Sequence, residues 1–151
     1  MMLSKHFLLI RSKQSNSNML KAELHSDPSN IAQVEKLVED ISSKYHLDQE
    51  TRANLLISLT EAVNNAIIHG NNSEPSKKVS IQLLRNGNKL AVKVQDQGQG
   101  FDFKQLPDPT APENICNCGG RGVFLMNQLC DEMSYSNGGS TVEMRFRLQN
   151  S

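Results

Sequence analysis

Glu61 and Asn65 stand four residues apart in a segment whose apolar pattern is helical, so a carboxylate and an amide lie one helical turn apart on the same side. The amide oxygen of Asn65 suits a hard cation such as Mg²⁺, which keeps several waters and binds phosphate oxygens beside only one or two protein ligands. Glu61 would then be placed to act as a base. Taken alone, such a pair is more often the solvated side of an amphipathic helix.

A second carboxylate, Asp96, closes a strand-like run and is followed by Gly98 and Gly100. A carboxylate at a strand end can accept a hydrogen bond from an exocyclic amine such as that of adenine, and the glycines let the backbone approach a base or sugar closely. By itself the pattern is more typical of a polar turn after a strand. It is not a dinucleotide-binding fingerprint, because no third glycine and no helical run follow.

A glycine cluster precedes what should be another helix: it comprises Gly119, Gly120, Arg121, Gly122 and Val123. Exposed amides at a helix N-terminus bind phosphate through hydrogen bonds and the helix dipole, and Arg121 adds a positive charge. A flexible hinge is the alternative interpretation. The chain has no Gly-x-x-x-x-Gly-Lys-Ser/Thr element, which argues against a P-loop enzyme.

Two amphipathic helices should position the first pair of residues. Asp27 and Pro28 supply an N-cap and a first-turn proline for a helix whose apolar residues run from 31 to 41. A second helix should begin near Asp48 and stop at Gly70. A further short helix is expected from about Arg121.

Alternating apolar residues predict strands, which lie at about residues 20–24, 79–83, 90–94, 133–136 and 141–148. Asn86-Gly87 predicts a hairpin turn between the second and third of these runs, and residues 137–139 join the last two strands. Residues 103–118 are proline-bearing and aperiodic, and this length favours a lid over a simple linker. The sequence therefore predicts an α+β sandwich with helices on one face of a mostly antiparallel sheet.

Length and composition favour one domain, at residues 18–151, preceded by an N-terminal segment, residues 1–17, of undefined role: a tail, an extra strand or a partner contact. The chain has 151 residues, and 16 basic residues balance 16 acidic ones, so no overall field draws it to nucleic acid or to an anionic membrane. No apolar run is long enough to span a bilayer, and three cysteines fit no disulfide framework. A cytoplasmic location is the default expectation.

Three motifs in this order carry a resemblance to a known superfamily, the GHKL or Bergerat-fold ATPases. Residues 61–70 (EAVNNAIIHG) resemble its N-box, residues 96–100 its first glycine box, and residues 119–122 its second. Residues 106–112 (LPDPTAP), 119–126 (GGRGVFLM) and 130–132 (CDE) point within it to the bacterial anti-sigma-factor serine/threonine kinases. The resemblance covers residues 20–148 and implies a Bergerat-type two-layer sandwich with a lid loop over the nucleotide.

The resemblance also implies the site. Its cofactors would be ATP and Mg²⁺. Asn65 would hold the metal, Glu61 would activate the attacking hydroxyl, and Asp96 would recognise adenine with help from the Thr141 hydroxyl. The glycines would approach the nucleoside and, with the lid, wrap the phosphates. One departure from the family pattern is Cys118, which stands near the lid end, where some sporulation anti-sigma factors carry a phosphate-contacting Arg. Two interpretations are open: Arg121 substitutes for that Arg, or the kinase is slow.

The implied substrate is a serine or threonine of an anti-anti-sigma factor with a STAS-type domain, and the second partner is a sigma factor, with a homodimer expected from relatives. Two alternatives remain open. One is a binding module that sequesters a sigma factor with ATP but without kinase activity. The other is a stand-alone histidine-kinase-like ATPase, although none of His6, His25 or His46 is followed by the acidic residue of a phosphoacceptor site.

Overall fold

The computed structural model describes residues 7–10, 19–98 and 125–148, and these form a two-layer α+β fold. One layer is a six-stranded sheet in the order β1-β2-β3-β4-β6-β5, in which every pairing is antiparallel. The strands are β1 (Phe7–Ile10), β2 (Met19–His25), β3 (Lys78–Asn86), β4 (Lys89–Gln95), β5 (Glu132–Ser136) and β6 (Thr141–Arg147). The predicted fold class is confirmed.

The helical layer begins where the sequence signals placed it. Asp27 accepts a hydrogen bond from the Ser29 amide and caps a 3-10 turn, Pro28–Ile31, which leads into α1 (Ala32–Tyr45). Asp48 accepts from the Thr51 amide at 2.7 Å and caps α2 (Gln49–Asn65). Each cap satisfies an amide that has no partner within its helix, so each fixes the residue at which the helix starts.

Both helices pack on the same face of the sheet. The sheet contributes alternate residues from its central strands to the core, and the helices contribute residues at helical spacing. The buried apolar strand residues are Leu20, Ala22, Leu24, Val79, Ile81, Leu83, Leu90, Val92, Val94, Val142, Met144 and Phe146. The other face of the sheet carries polar residues in register, such as Gln82 beside Lys93 and Lys93 beside Glu143. This one-sided burial explains the period-two pattern of the sequence.

Turn chemistry determines how the strands are connected. Gly87 has a φ of +64° in the β3–β4 hairpin, a left-handed conformation that favours glycine and confirms the predicted turn. Asn137–Gly139 forms a 3-10 turn between β5 and β6. Residues 125–129 are helical and bury Met126 in the core. The predicted helix start near Arg121 and the predicted lid at residues 103–118 lie outside the described residues. Within the described ranges, no helix has the length and apolarity needed to cross a membrane.

Candidate functional site

Asp96 directly follows strand β4 and continues the inward-facing alternation of that strand. Leu90, Val92 and Val94 alternate along this strand and are buried against the helices, so the side chain two residues on is directed to the same side. The strand ends at Gln95, so the Asp96 carboxylate lies at the edge of the core, beside the end of the helical layer. Burial raises the pKa of the Asp96 carboxyl, while the Gly98 amide and the Lys77 charge act to lower it. Such a partly desolvated carboxylate gains from a donor that replaces lost water.

The end of α2 meets Asp96 through a π turn, Ala66–Gly70, in which the Asn71 amide donates to the Ala66 carbonyl at 2.8 Å. The sequence placed the helix end at Gly70 correctly but gave no signal for the wider turn. One residue more per turn changes the direction in which residues 69–71 leave the helix. As a result, the backbone of Gly70 lies against the Asp96 carboxyl group.

Two glycines make this close approach feasible. A Cβ on Gly70 would lie 2.8 Å from Oδ1 of Asp96 and still closer to its Cγ and Oδ2. A Cβ on Gly98 would lie 2.7 Å from the carbonyl carbon of Gly70 and closer still to its oxygen. Since real Cβ contacts are essentially never so short, a larger residue at Gly70 must shift the Asp96 side chain or the helix end, and one at Gly98 must shift one of the two backbone segments. The structure thus gives Gly98, which the sequence selected, and Gly70, which the sequence treated as a helix stop, a shared role beside Asp96.

Three consecutive amides of the Asp96 turn are held by hydrogen bonds. The Asp96 amide donates to the Ser140 carbonyl at 2.9 Å, and the Gly98 amide donates to Oδ1 of Asp96 at 2.8 Å. Between them, the Gln97 amide donates to Oδ1 of Asn71 at 2.8 Å. The turn therefore has a fixed path before any ligand arrives, which is what a preorganised recognition site needs.

Glu61 and Asn65 lie on α2 as predicted, four residues apart and about 6 Å apart along the helix axis. Both are half-buried, and their helical neighbours Ala62, Val63 and Ala66 are buried in the core. Within the described part of the chain, no hydrogen bond or ion pair engages the side chain of either residue. The carboxylate and the amide are consequently available for a ligand. Gly70, which contacts the Asp96 carboxyl group, comes five residues after Asn65. Glu61, Asn65 and the contact with Asp96 therefore follow one another along the same helix.

The residues near Asn65 suit Mg²⁺ held together with phosphate. Among the residues that the structure describes, no group of three or more His, Cys, Asp or Glu side chains is arranged to hold a metal. A protein cage is not required, because Mg²⁺ takes its other oxygens from water and phosphate. One neutral amide oxygen on a rigid helix therefore fits a metal that arrives with a nucleotide.

Thr141 is the first residue of β6, and in the β4–β6 register it pairs with Gln95, the residue before Asp96. It is 2% exposed, and its hydroxyl oxygen accepts a hydrogen bond from Asn137 at 3.0 Å. The contact that this segment makes with the turn is the backbone carbonyl of Ser140. The assistance that Thr141 was expected to give Asp96 stays a prediction.

The remaining predicted site residues, Gly100, Gly119, Gly120, Arg121, Gly122 and Val123, lie outside the described residues, as does Cys118. Their roles stay predictions. His69, to which the sequence gave no catalytic role, is exposed at the end of α2. The residue that sequence reasoning missed is Asn71, whose only signal was its place in a polar Asn-Asn pair after a helix stop.

Comparison with known proteins gives consistent results. Residues 24–146 match the histidine kinase-like ATPase domain. The chain is 30% identical over 132 residues to the serine-protein kinase RsbW of Bacillus velezensis, and this alignment covers 83% of the chain and 82% of the relative. It is 26% identical over 138 residues to the protein of the same name from Bacillus subtilis, with 87% and 86% covered.

A solved structure of the RsbU and RsbW domains of a Mycobacterium tuberculosis protein superposes on this chain with a TM-score of 0.60 and 18% identity. The superposition covers 88% of this chain and 33% of that one, so the chain spans about a third of the length of the solved structure. At this identity the match supports the fold alone.

Proposed function

The chain belongs to the histidine kinase-like ATPase family, and from that membership we propose that it is an ATP-dependent serine/threonine protein kinase acting as an anti-sigma factor. The observation that carries the proposal is the arrangement along α2. An amide and a carboxylate with no partner among the described residues lie on the helix, and a carboxylate turn is packed against the end of the same helix.

At the nucleoside end, Asp96 accepts a hydrogen bond from the exocyclic amine of adenine. Its carboxylate is already partly desolvated, and its Oδ1 is held by the Gly98 amide, so Oδ2 is the freer acceptor. Gly70 and Gly98 carry no side chains, so the end of α2 and the Asp96 turn can lie in close contact and hold the carboxylate in place. Thr141 is buried one residue beyond the Ser140 carbonyl that accepts from the Asp96 amide, and its hydroxyl assists Asp96 as the motifs of the family imply.

At the phosphate end, Asn65 supplies an oxygen ligand to Mg²⁺, and the metal neutralises phosphate charge when it is bound. The glycine cluster, residues 119–123, binds the phosphates of the nucleotide through backbone amides, with Arg121 adding positive charge. Gly100 lets the chain pass close to the nucleoside. These roles follow the resemblance of the motifs to those of the family.

Glu61 acts as the base in the transfer step. The hydroxyl oxygen of the substrate serine or threonine attacks the γ-phosphorus, the hydroxyl proton passes to the Glu61 carboxylate, and the bond from the γ-phosphorus to the bridging oxygen of ADP breaks. Phosphoryl transfer needs positioning more than covalent help from the protein, so a base on a rigid helix is sufficient.

The substrate class that we propose is an anti-anti-sigma factor with a STAS-type domain, and the second partner is a sigma factor. Phosphorylation of the first frees this protein to sequester the second, so the two partners exclude one another. The protein would work in the cytoplasm, with a homodimer as the expected assembly.

The first test is ATP binding in the presence of Mg²⁺, measured by titration calorimetry. Asn65→Ala and Asp96→Asn should each weaken binding by about tenfold or more, which corresponds to the loss of one hydrogen bond or ligand to a charged group. Asn64→Ala is the matched control, because it removes a neighbouring half-buried amide and should bind as wild type does. If the wild-type protein does not bind ATP, the kinase proposal is wrong.

The second test separates a kinase from an ATP-dependent binding module. Glu61→Gln should keep ATP affinity and lower phosphate transfer to a STAS-domain substrate by about 10²–10⁴-fold, since a general base is removed without a change in shape. Glu50→Gln, on the exposed first turn of α2, is the control for charge and helix stability. Unchanged transfer by the Glu61 variant would contradict the role of this residue, and absence of transfer by wild type would favour the binding module.

A further inference from the structure

Asn71 is a fully buried polar residue immediately beyond the π turn that ends α2. It is 0% exposed, and both the nitrogen and the oxygen of its side-chain amide have hydrogen-bond partners. Its Nδ2 donates to Oγ of Ser26 at 2.8 Å and to the Lys78 carbonyl at 3.1 Å. Its Oδ1 accepts from the Gln97 amide at 2.8 Å. A buried amide that is satisfied in this way has a fixed orientation.

These bonds have two different destinations. The Nδ2 side ties Asn71 to the core scaffold: Ser26 follows β2, and Lys78 begins β3. The Oδ1 side accepts from the amide of the peptide that joins Asp96 to Gln97. Gln97 makes a second link to the same scaffold, because its Oε1 accepts from the Lys78 amide at 2.6 Å. Asn71 therefore fixes the Asp96 turn relative to the sheet.

We propose that Asn71 is a positioning residue that sets adenine specificity by fixing the Gln97 peptide, and through it the direction of the Asp96 carboxylate. The inference rests on the proposed function, in which Asp96 receives the adenine amine. Without Oδ1 of Asn71, the Gln97 amide is left without its partner, and the turn can rotate to find another. Asp96 would then be presented in several orientations, and an adenine amine would be favoured less over a guanine carbonyl.

Ser26→Ala provides the matched control. Ser26 is as buried as Asn71, and its hydroxyl donates to the Lys77 carbonyl at 2.8 Å while it accepts from Asn71. Its removal weakens the same buried cluster and leaves the Oδ1 contact to Gln97 in place. The two variants therefore separate a general loss of stability from a loss of positioning.

The experiment measures the dissociation constants of ATP and GTP with Mg²⁺ for wild type, Asn71→Ala and Ser26→Ala, together with thermal unfolding and amide hydrogen exchange. Asn71→Ala should weaken ATP about tenfold and reduce the ATP-over-GTP preference by a similar factor, while Ser26→Ala keeps both within about twofold of wild type. Amide exchange of Gln97 should accelerate in the first variant alone. If Asn71→Ala does not fold, Asn71→Ser places a smaller polar group at the site and carries the same expectation.

The possible outcomes distinguish a failure of this inference about Asn71 from a failure of the proposed kinase function. If wild type binds ATP and Asp96→Asn weakens it, but Asn71→Ala changes the ATP-over-GTP preference no more than Ser26→Ala does, Asn71 is only a structural cross-link and the inference is overturned. If wild type binds no ATP, the proposed function fails first, and accelerated exchange of Gln97 in Asn71→Ala then reports the structural link alone and overturns the specificity role.

Discussion

Gly70→Ala tests whether the contact between the helix end and Asp96 governs nucleotide binding. The added methyl would lie 2.8 Å from Oδ1 of Asp96, where ordinary contact begins at 3.4 Å, so that oxygen must retreat by at least about 0.6 Å and the nearer carboxyl atoms by more. Gly70 does not have a left-handed φ, so the backbone itself accommodates alanine. The perturbation therefore falls on the position of the Asp96 carboxylate.

The expected change in stability is small because two effects oppose each other. Alanine in place of a helical glycine stabilises by about 1 kcal/mol, whereas overpacking typically destabilises by about 1–3 kcal/mol. Binding has no such compensation. A displaced carboxylate loses a charge-assisted hydrogen bond to the adenine amine, worth about 1.5–3 kcal/mol, which is roughly a 10–100-fold rise in the ATP dissociation constant.

The assay pairs ATP titration calorimetry with thermal unfolding, and Gly87→Ala is the control. Gly87 lies in the β3–β4 hairpin with a φ of +64°, and a methyl group added to it would meet no atom within 4 Å. Alanine there costs about 1–2 kcal/mol of backbone strain without touching the site. We expect Gly87→Ala to unfold more easily and to bind ATP normally. Gly70→Ala that binds ATP as tightly as wild type, while Asp96→Asn does not, would refute the reasoning.

Burial of single side chains leads to three further predictions. Burial raises the pKa of the Asp96 carboxyl above 3.8, so the protonated carboxyl stabilises the fold below pH 3.8 and this stabilisation is lost as pH rises through the folded pKa. Thermal unfolding should therefore show Asp96→Asn to be more stable than wild type near neutral pH, and this difference in stability should vanish below pH 3.8. Burial raises the pKa of the Cys130 thiol from 9.0 to about 11, so iodoacetamide should label it about a hundredfold more slowly than an exposed thiol, and at the normal rate after unfolding. The Ser58 hydroxyl is buried in α2 without a hydrogen-bond partner among the described residues, so Ser58→Ala should raise the free energy of unfolding by about 1 kcal/mol in urea titrations, and a lower value would show an unseen partner.

Local signals were enough to predict the fold. Asp48 is a helix N-cap because its side chain reaches an amide three residues away, and Gly87 forms a hairpin because it tolerates a positive φ. Alternating residues identified β3 and β4 because one face of the sheet is buried and the other is not. Each of these signals depends on neighbours within a few residues, and a sequence displays such neighbours directly.

The site was only partly predictable, because its geometry is set by contacts between distant segments. Spacing alone placed Glu61 and Asn65 on one helix and Asp96 at a strand end. It gave no indication that a π turn would bring Gly70 onto Asp96, since widening of a helical turn depends on what the helix end packs against. Spacing also could not place the Thr141 side chain, because the face that a strand residue occupies depends on register, and a shift of one residue reverses it.

Asn71 shows why a residue of this kind is difficult to find in a sequence. A polar Asn-Asn pair after a helix stop is typical of an exposed turn, and Asn72 is indeed exposed. Asn71 is buried because its partners, Ser26 and Gln97, are 45 and 26 residues away, and each satisfies one end of the same amide. The cost of burying an amide is recovered only when all of these segments are in place. The Asp96 turn is therefore ordered by the completed sheet, and a nucleotide that contacts Asp96 meets an acceptor whose direction folding has already fixed.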